Sequence, residues 1–166
     1  MSKMKFFERN KNLVNRFVLQ RLAKTKRVVH GARAQNAQLP RFLERKSTRD
    51  WDVFAKNPKQ ASNEMEKILD KRFRGDFFRV KKGKTKKLKV HKVVSNTDNE
   101  SVVDFSIPDR KVPKISKRGI SYATLKDQFE RAKKSIKNPK AKFRRKKDLD
   151  LIRRVKEFEK LRGRKI

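Results

Sequence analysis

The sequence predicts an α+β fold: a small mixed sheet of about five strands, with helical and strongly basic segments at both ends. Near the N-terminus, Leu13 with Phe17 and Val14 with Val18 and Leu22 recur at helical spacing, and the C-terminal third holds two further helical stretches. The middle of the chain carries short β-branched and aromatic runs closed by Gly, Asn or Pro. Only 34% of the residues are hydrophobic, but 12 Phe supply material for a core that a disordered basic tail would lack.

The elements follow in order. A helix from about Asn10 to Lys24 is followed by Arg27 to His30, a short buried strand stopped by Gly31. A second helix, about Ala32 to Leu39, ends at Pro40, because proline disfavours helical geometry in the residue before it. Asp50 to Phe54 reads as a strand from its alternation and aromatic content. Asn57-Pro58 then opens a helix to about Phe73, with Met65, Ile68 and Leu69 as its apolar stripe. Phe77 to Val80 and Leu88 to Val94 flank a basic loop, Lys81 to Lys87, as a hairpin would. Asn96 to Asn99 makes a turn before the strand Val102 to Phe105, and Pro108 and Pro113 bound a loop. The last helices are expected over Ala123 to Lys137, closed by Asn138-Pro139, and over about Ala141 to Arg162.

Charge organises the chain. It carries 51 Lys+Arg against 18 Asp+Glu, a formal net charge of +33. Such a chain repels itself, and a polyphosphate partner relieves the repulsion while releasing counterions. RNA or DNA is therefore the expected partner. The excess is +8 over residues 1–30, +9 over 31–108 and +16 over 109–166, so carboxylates with a task belong in the middle. The expected division is a basic helical arm at 1–26, a core at 27–108 and a basic helical region at 109–166. No apolar run approaches the ~20 residues of a membrane span, and Met1 to Asn10 lacks the apolar run of a signal peptide. A soluble protein of the cytoplasm, or of a virion, fits that pattern. There is no Cys and there are two His, which excludes disulfides and thiolate zinc sites and disfavours a histidine-rich metal site.

Three acids carry the chemistry. Asp50 and Asp52 are two apart on a strand and share one face, with Trp51 and Val53 on the other. Asp104 stands in the apolar run Val102 to Phe105, where a charge is costly without a partner. If the two strands are neighbours, three carboxylates converge on one patch of sheet. Mg²⁺ is the natural compensating ion, and two such ions would serve an in-line displacement at phosphorus. The alternative is that these acids are salt-bridged to some of the 51 bases.

The stretch Val28-Val29-His30-Gly31-Ala32-Arg33-Ala34 resembles the first strand and glycine turn of the nucleotidyltransferase fold of poly(A) polymerases and CCA-adding enzymes. Asp50-Trp51-Asp52-Val53-Phe54 resembles that fold's acidic strand, and Val103-Asp104-Phe105 the strand with its third acid. The order of elements over about residues 27–155 is similar to compact polymerase-like proteins of large DNA viruses and phages. This resemblance implies that Asp50, Asp52 and Asp104 are catalytic and hold two Mg²⁺. It makes Gly31, Ala32, Arg33 and Arg49 contacts for a nucleoside triphosphate, and Lys142, Arg144, Arg145, Lys146 and Lys147 contacts for nucleic acid. Ala32 stands where the family usually has Gly or Ser, so a backbone contact to phosphate replaces a hydroxyl one.

Two functions stay open on these grounds. One is transfer of a nucleotide to a 3′ hydroxyl; the other is a non-catalytic nucleic-acid-binding protein of a virion or ribonucleoprotein particle. Trp51, Tyr122, Phe77 and Phe78 are expected in the core rather than stacked on bases, and His30 at a strand end rather than in catalysis.

Overall fold

The computed structural model describes residues 5–46, 48, 50–84 and 87–166. Helix α1 (Phe6–Thr25) buries Phe7, Val14, Val18 and Leu22, the stripe expected of it, and Lys26 closes it in the left-handed conformation. After β1 (Val28–His30) comes α2 (Gly31–Gln38), and then a 3₁₀ turn at Arg41–Leu43. β2 (Trp51–Phe54) leads into α3 (Pro58–Phe73), which starts where the Asn57 side chain accepts a hydrogen bond from the Gln60 N–H. Its Ala61, Met65 and Leu69, four apart, form the buried stripe. β3 (Phe78–Lys82), β4 (His91–Ser95) and β5 (Ser101–Ser106) follow.

The sheet has seven strands, not about five. The two extra ones, β6 (Lys114–Lys117) and β7 (Ile120–Ala123), form a hairpin between the expected loop ending at Pro113 and the helix expected from Ala123, where no strand was foreseen. Arg118 and Gly119 both have positive φ, at 50° and 78°, as a two-residue hairpin turn of the I′ kind requires. β6 is an edge strand with a mostly exposed face, so its residues show no hydrophobic alternation. Helix α4 (Leu125–Ser135) therefore starts two residues later than expected, capped by the Thr124 hydroxyl accepting from the Asp127 N–H. The expected final helix divides into a 3₁₀ segment, Pro139–Arg144, and α5 (Arg145–Arg162).

The strand order is β3-β4-β5-β2-β1-β7-β6, with β2 parallel to β5, β1 parallel to β7 and the other pairs antiparallel. Helices α1 and α3 join the sheet in one hydrophobic cluster that includes Trp51, Val53, Met65, Val103 and Phe105. Phe105 is fully buried; such a side chain contributes roughly 1.5–3 kcal/mol and so holds the strand that carries Asp104. Tyr122 and Phe77 pack against this cluster and Phe78 lies inside it, as expected of core aromatics. A second cluster, with Leu39, Leu43, Leu125, Phe129, Leu151, Ile152 and Val155, fastens α4 and α5 to the segment after α2. Among the described residues, no helix is long and apolar enough to cross a membrane.

Candidate active site

Strand register sets the site. Asp52 lies opposite Asp104 on the parallel pair β2–β5. Lys92 lies opposite Asp104 on β4, and His30 opposite Asp52 on β1. Residues directly opposite across neighbouring strands share a face. The row Lys92, Asp104, Asp52, His30 therefore crosses four strands on one side of the sheet. Asp50, just before β2, joins it: carboxylate oxygens of Asp50, Asp52 and Asp104 all lie within 4.8 Å of one another. The convergence expected from the i, i+2 spacing and the second acidic strand is present.

The reverse face fixes the acidic strand. Trp51 is buried there, and its indole N–H donates to Asn15 Oδ1 of α1 at 3.2 Å. The Arg33 guanidinium lies 4.0 Å over the Trp51 ring, and its Nε donates to the Asp50 carbonyl at 3.1 Å. Arg33 thus braces the backbone that presents Asp50. Gly31 has a φ of +70°, and a Cβ placed on it would lie 2.5 Å from Asp52 Oδ2. The glycine leaves room for the carboxylate, at a φ that side-chain-bearing residues avoid.

The electrostatics are strained in one direction. Burial, then the Asp50 and Asp104 charges, push the Asp52 carboxyl up to about 7, against the pull of Lys147 and Lys92. Burial and Asp104 also raise Asp50. Lys92 Nζ is 3.1 Å from Asp104 Oδ2, and the Ser101 hydroxyl donates to the other oxygen. The pairing with a base foreseen in the alternative is thus real for Asp104, yet one lysine does not offset three crowded carboxylates. Three converging hard oxygen donors, with Asp50 and Asp52 held above their ordinary range despite Lys92, Lys147 and Arg33, suit a divalent cation such as Mg²⁺.

A cleft of about 620 Å³ opens over the three acids. Its lining includes His30, Asp50, Asp52, Lys92 and Asp104 from the sheet and its strand ends, Arg131 from α4, and Phe143, Arg144, Lys147 and Asp148 from the C-terminal segment. His30 stacks on Phe54 at 3.9 Å between ring centroids, and its Nε2 is buried with no hydrogen-bond partner among the described residues. Burial, reinforced by Arg131, Arg110 and Arg144, lowers its pKa to about 3, so the ring is neutral. It stands at the strand end, as expected. Gly31 and Ala32 form the first turn of α2 beside Asp52, where the cap residue His30 makes no side-chain hydrogen bond to the helix.

The basic C-terminal residues separate into two groups. Arg144 and Lys147 line the cleft, with Arg144 3.6 Å from Asp148. Lys142, Arg145 and Lys146 are exposed outside it. Arg49 lies outside the described residues. Sequence reasoning missed Lys92, whose place depends on register, and Asp148, Arg131 and Phe143. Asp148 had left a signal: it precedes Leu151, Ile152 and Val155 on the same helical stripe, which is the buried one. A second acidic group, Glu66, Asp70 and Asp76, has comparable spacing, but Asp70 already accepts the Phe77 and Phe78 N–H groups at 3.0 Å each.

Comparison with solved structures finds this arrangement of elements in other proteins. The crystal structure of the Megavirus polyadenylate synthase superposes with a TM-score of 0.76 at 17% identity, over 90% of this chain and 31% of that one. The fold resembles that of a nucleotidyltransferase. JHP933 from Helicobacter pylori is more distant, with a TM-score of 0.51 at 15% identity over 95% of this chain and 76% of that one. The chain spans about a third of the polyadenylate synthase, and identities this low establish the fold alone. No protein-family model and no curated protein matches the sequence.

Proposed function

We propose that this protein transfers a nucleotide from a nucleoside triphosphate to the 3′ hydroxyl of a nucleic acid, the hydroxyl oxygen bonding to the α-phosphorus as pyrophosphate leaves, with two Mg²⁺ held by Asp50, Asp52 and Asp104. The convergence of these three carboxylates beneath a cleft is the observation that carries the proposal. The donor set fits a hard cation, and bound Mg²⁺ supplies charge neutralisation for the attacking and leaving oxygens. The chain's own residues do the positioning. The first turn of α2, at Gly31 and Ala32, starts without a side-chain cap and would offer backbone N–H groups to a phosphate as helix N-termini do, so Ala32 needs no hydroxyl. Arg144 and Lys147 line the same cleft as the acids and balance the triphosphate charge. Arg33 acts through the Asp50 backbone, and Arg49 remains a candidate phosphate contact. Lys142, Arg145 and Lys146, exposed beyond the cleft, hold the nucleic acid.

Incubation of the full chain with labelled nucleotides, Mg²⁺ and mixed RNA and DNA oligonucleotides tests the proposal. Extension is expected, and its loss in Asp52→Asn. No extension with any nucleotide, together with no effect of Mg²⁺ on thermal unfolding, would overturn it in favour of a non-catalytic particle protein.

A further inference from the structure

Phe143 is 83% exposed, the most exposed of the large hydrophobic residues among those described. It sits in the 3₁₀ segment Pro139–Arg144, between Lys142 and Arg144, and lines the cleft that holds the three acids. Exposed single apolar residues are common on protein surfaces. Phe42, 71% exposed and absent from the cleft walls, is such a residue. Phe143 differs in its surroundings. Arg144, the next residue, and Lys147, one helical turn on, both line the same cleft, and Lys147 is close enough to Asp52 to act on its charge. A flat apolar ring beside cations, in the same cleft as an acidic cluster, matches an amphipathic ligand with an anionic end and a flat aromatic end. The cleft, about 620 Å³, falls within the roughly 300–1,000 Å³ of small-molecule sites.

We infer that Phe143 is the stacking platform for the base of the nucleotide whose phosphates face Asp50, Asp52 and Asp104. This rests on the proposed nucleotide site and adds the element that grips the base. A phenyl ring offers no hydrogen bonds, and every base has a π-face, so Phe143 supplies affinity without choosing among bases.

Phe143→Trp in the full chain turns the platform into a fluorescent reporter, read as the difference from the wild type, whose buried Trp51 supplies the background. Titration with ATP, GTP, CTP and UTP in the presence of Mg²⁺ is expected to quench the new indole in each case, whereas inorganic tripolyphosphate is not. Phe143→Ala is expected to weaken binding of all four nucleotides about tenfold or more, the effect of one lost base stack, and to leave tripolyphosphate affinity unchanged. Phe42→Ala is expected to change neither. Wild-type nucleotide binding that Phe143→Ala leaves intact, or an equal loss for tripolyphosphate, overturns the platform while the metal site stands. A wild type that binds no nucleotide overturns both.

Discussion

Gly31 leaves open the volume that the Asp52 carboxylate fills: a Cβ there would lie 2.5 Å from Asp52 Oδ2. The two residues meet because β1 pairs antiparallel with β2 and His30 lies opposite Asp52, which brings the next residue of the turn beside it. On the proposed function, the glycine that frees a backbone for phosphate and the glycine that makes room for a metal-binding carboxylate are the same residue.

Gly31→Ala is therefore expected to act twice. The φ of +70° costs an alanine about 1–2 kcal/mol, visible as a lower Tm in thermal unfolding. The methyl also displaces the Asp52 carboxylate, so the stabilisation that Mg²⁺ gives the wild type should shrink or vanish. An alanine variant with wild-type response to Mg²⁺ would show that Asp52 is not held by the glycine.

Asp52→Asn is expected to stabilise the metal-free protein at pH 8. A carboxyl raised to about 7 from its ordinary 3.8 favours the fold fully below about pH 4 and loses that contribution as the pH rises through 7. Three units at about 1.4 kcal/mol each set an upper limit of about 4 kcal/mol for the gain on removing the charge. The wild-type-minus-variant difference in unfolding free energy, followed from pH 4 to 8 in EDTA, should grow in that sense. Carboxylates outside the cluster of Asp50, Asp52 and Asp104 cancel in the difference. Mg²⁺ should stabilise the wild type increasingly as the pH passes 7, and the variant little.

How far the sequence reaches is clearest at the acids. Asp50 and Asp52 were legible because a two-residue period puts both on one face, and Asp104 because a charge inside an apolar run needs a reason. The helices α1 and α3 were legible from their stripes. What joins Asp52 to Asp104 was not, because strand pairing is set by long-range packing and no local pattern encodes it. Lys92 was hidden for the same reason. The β6–β7 hairpin was missed because an exposed basic edge strand has no alternation, and its turn signal, Arg118-Gly119, is weaker than Asn-Gly or Asp-Gly.

The basic surface calls for substitutions rather than truncation. Removing residues 140–166 would take away Leu151, Ile152 and Val155, which the second hydrophobic cluster buries. Replacing the exposed Lys142, Arg145 and Lys146 with Ala leaves that cluster intact. Each that meets a phosphate should lower the slope of log K against log salt by about 0.9 on duplex DNA and about 0.7 on single strands. Nucleic-acid binding measured by anisotropy at several salt concentrations gives the slope. An unchanged slope in the triple variant would place the contacts elsewhere.

His30 should make the protein acid-sensitive in a defined window. Its ring is held neutral, with a folded pKa of about 3 against 6.5, by burial and by Arg131, Arg110 and Arg144. For a group depressed in the fold, stability is fully present above pH 6.5 and falls as the pH drops toward 3, because only the unfolded chain takes the proton. Between pH 6.5 and 4.5 the loss is about 2–3 kcal/mol, at about 1.4 kcal/mol per unit. His30→Phe keeps an aromatic ring against Phe54 and removes a nitrogen whose Nε2 has no partner among the described residues, so it costs no hydrogen bond. The variant should match the wild type near pH 7.5 and exceed it in unfolding free energy at pH 4.5. Parallel curves across that range would mean that His30 takes up its proton in the folded protein, and that the cleft wall around it admits water.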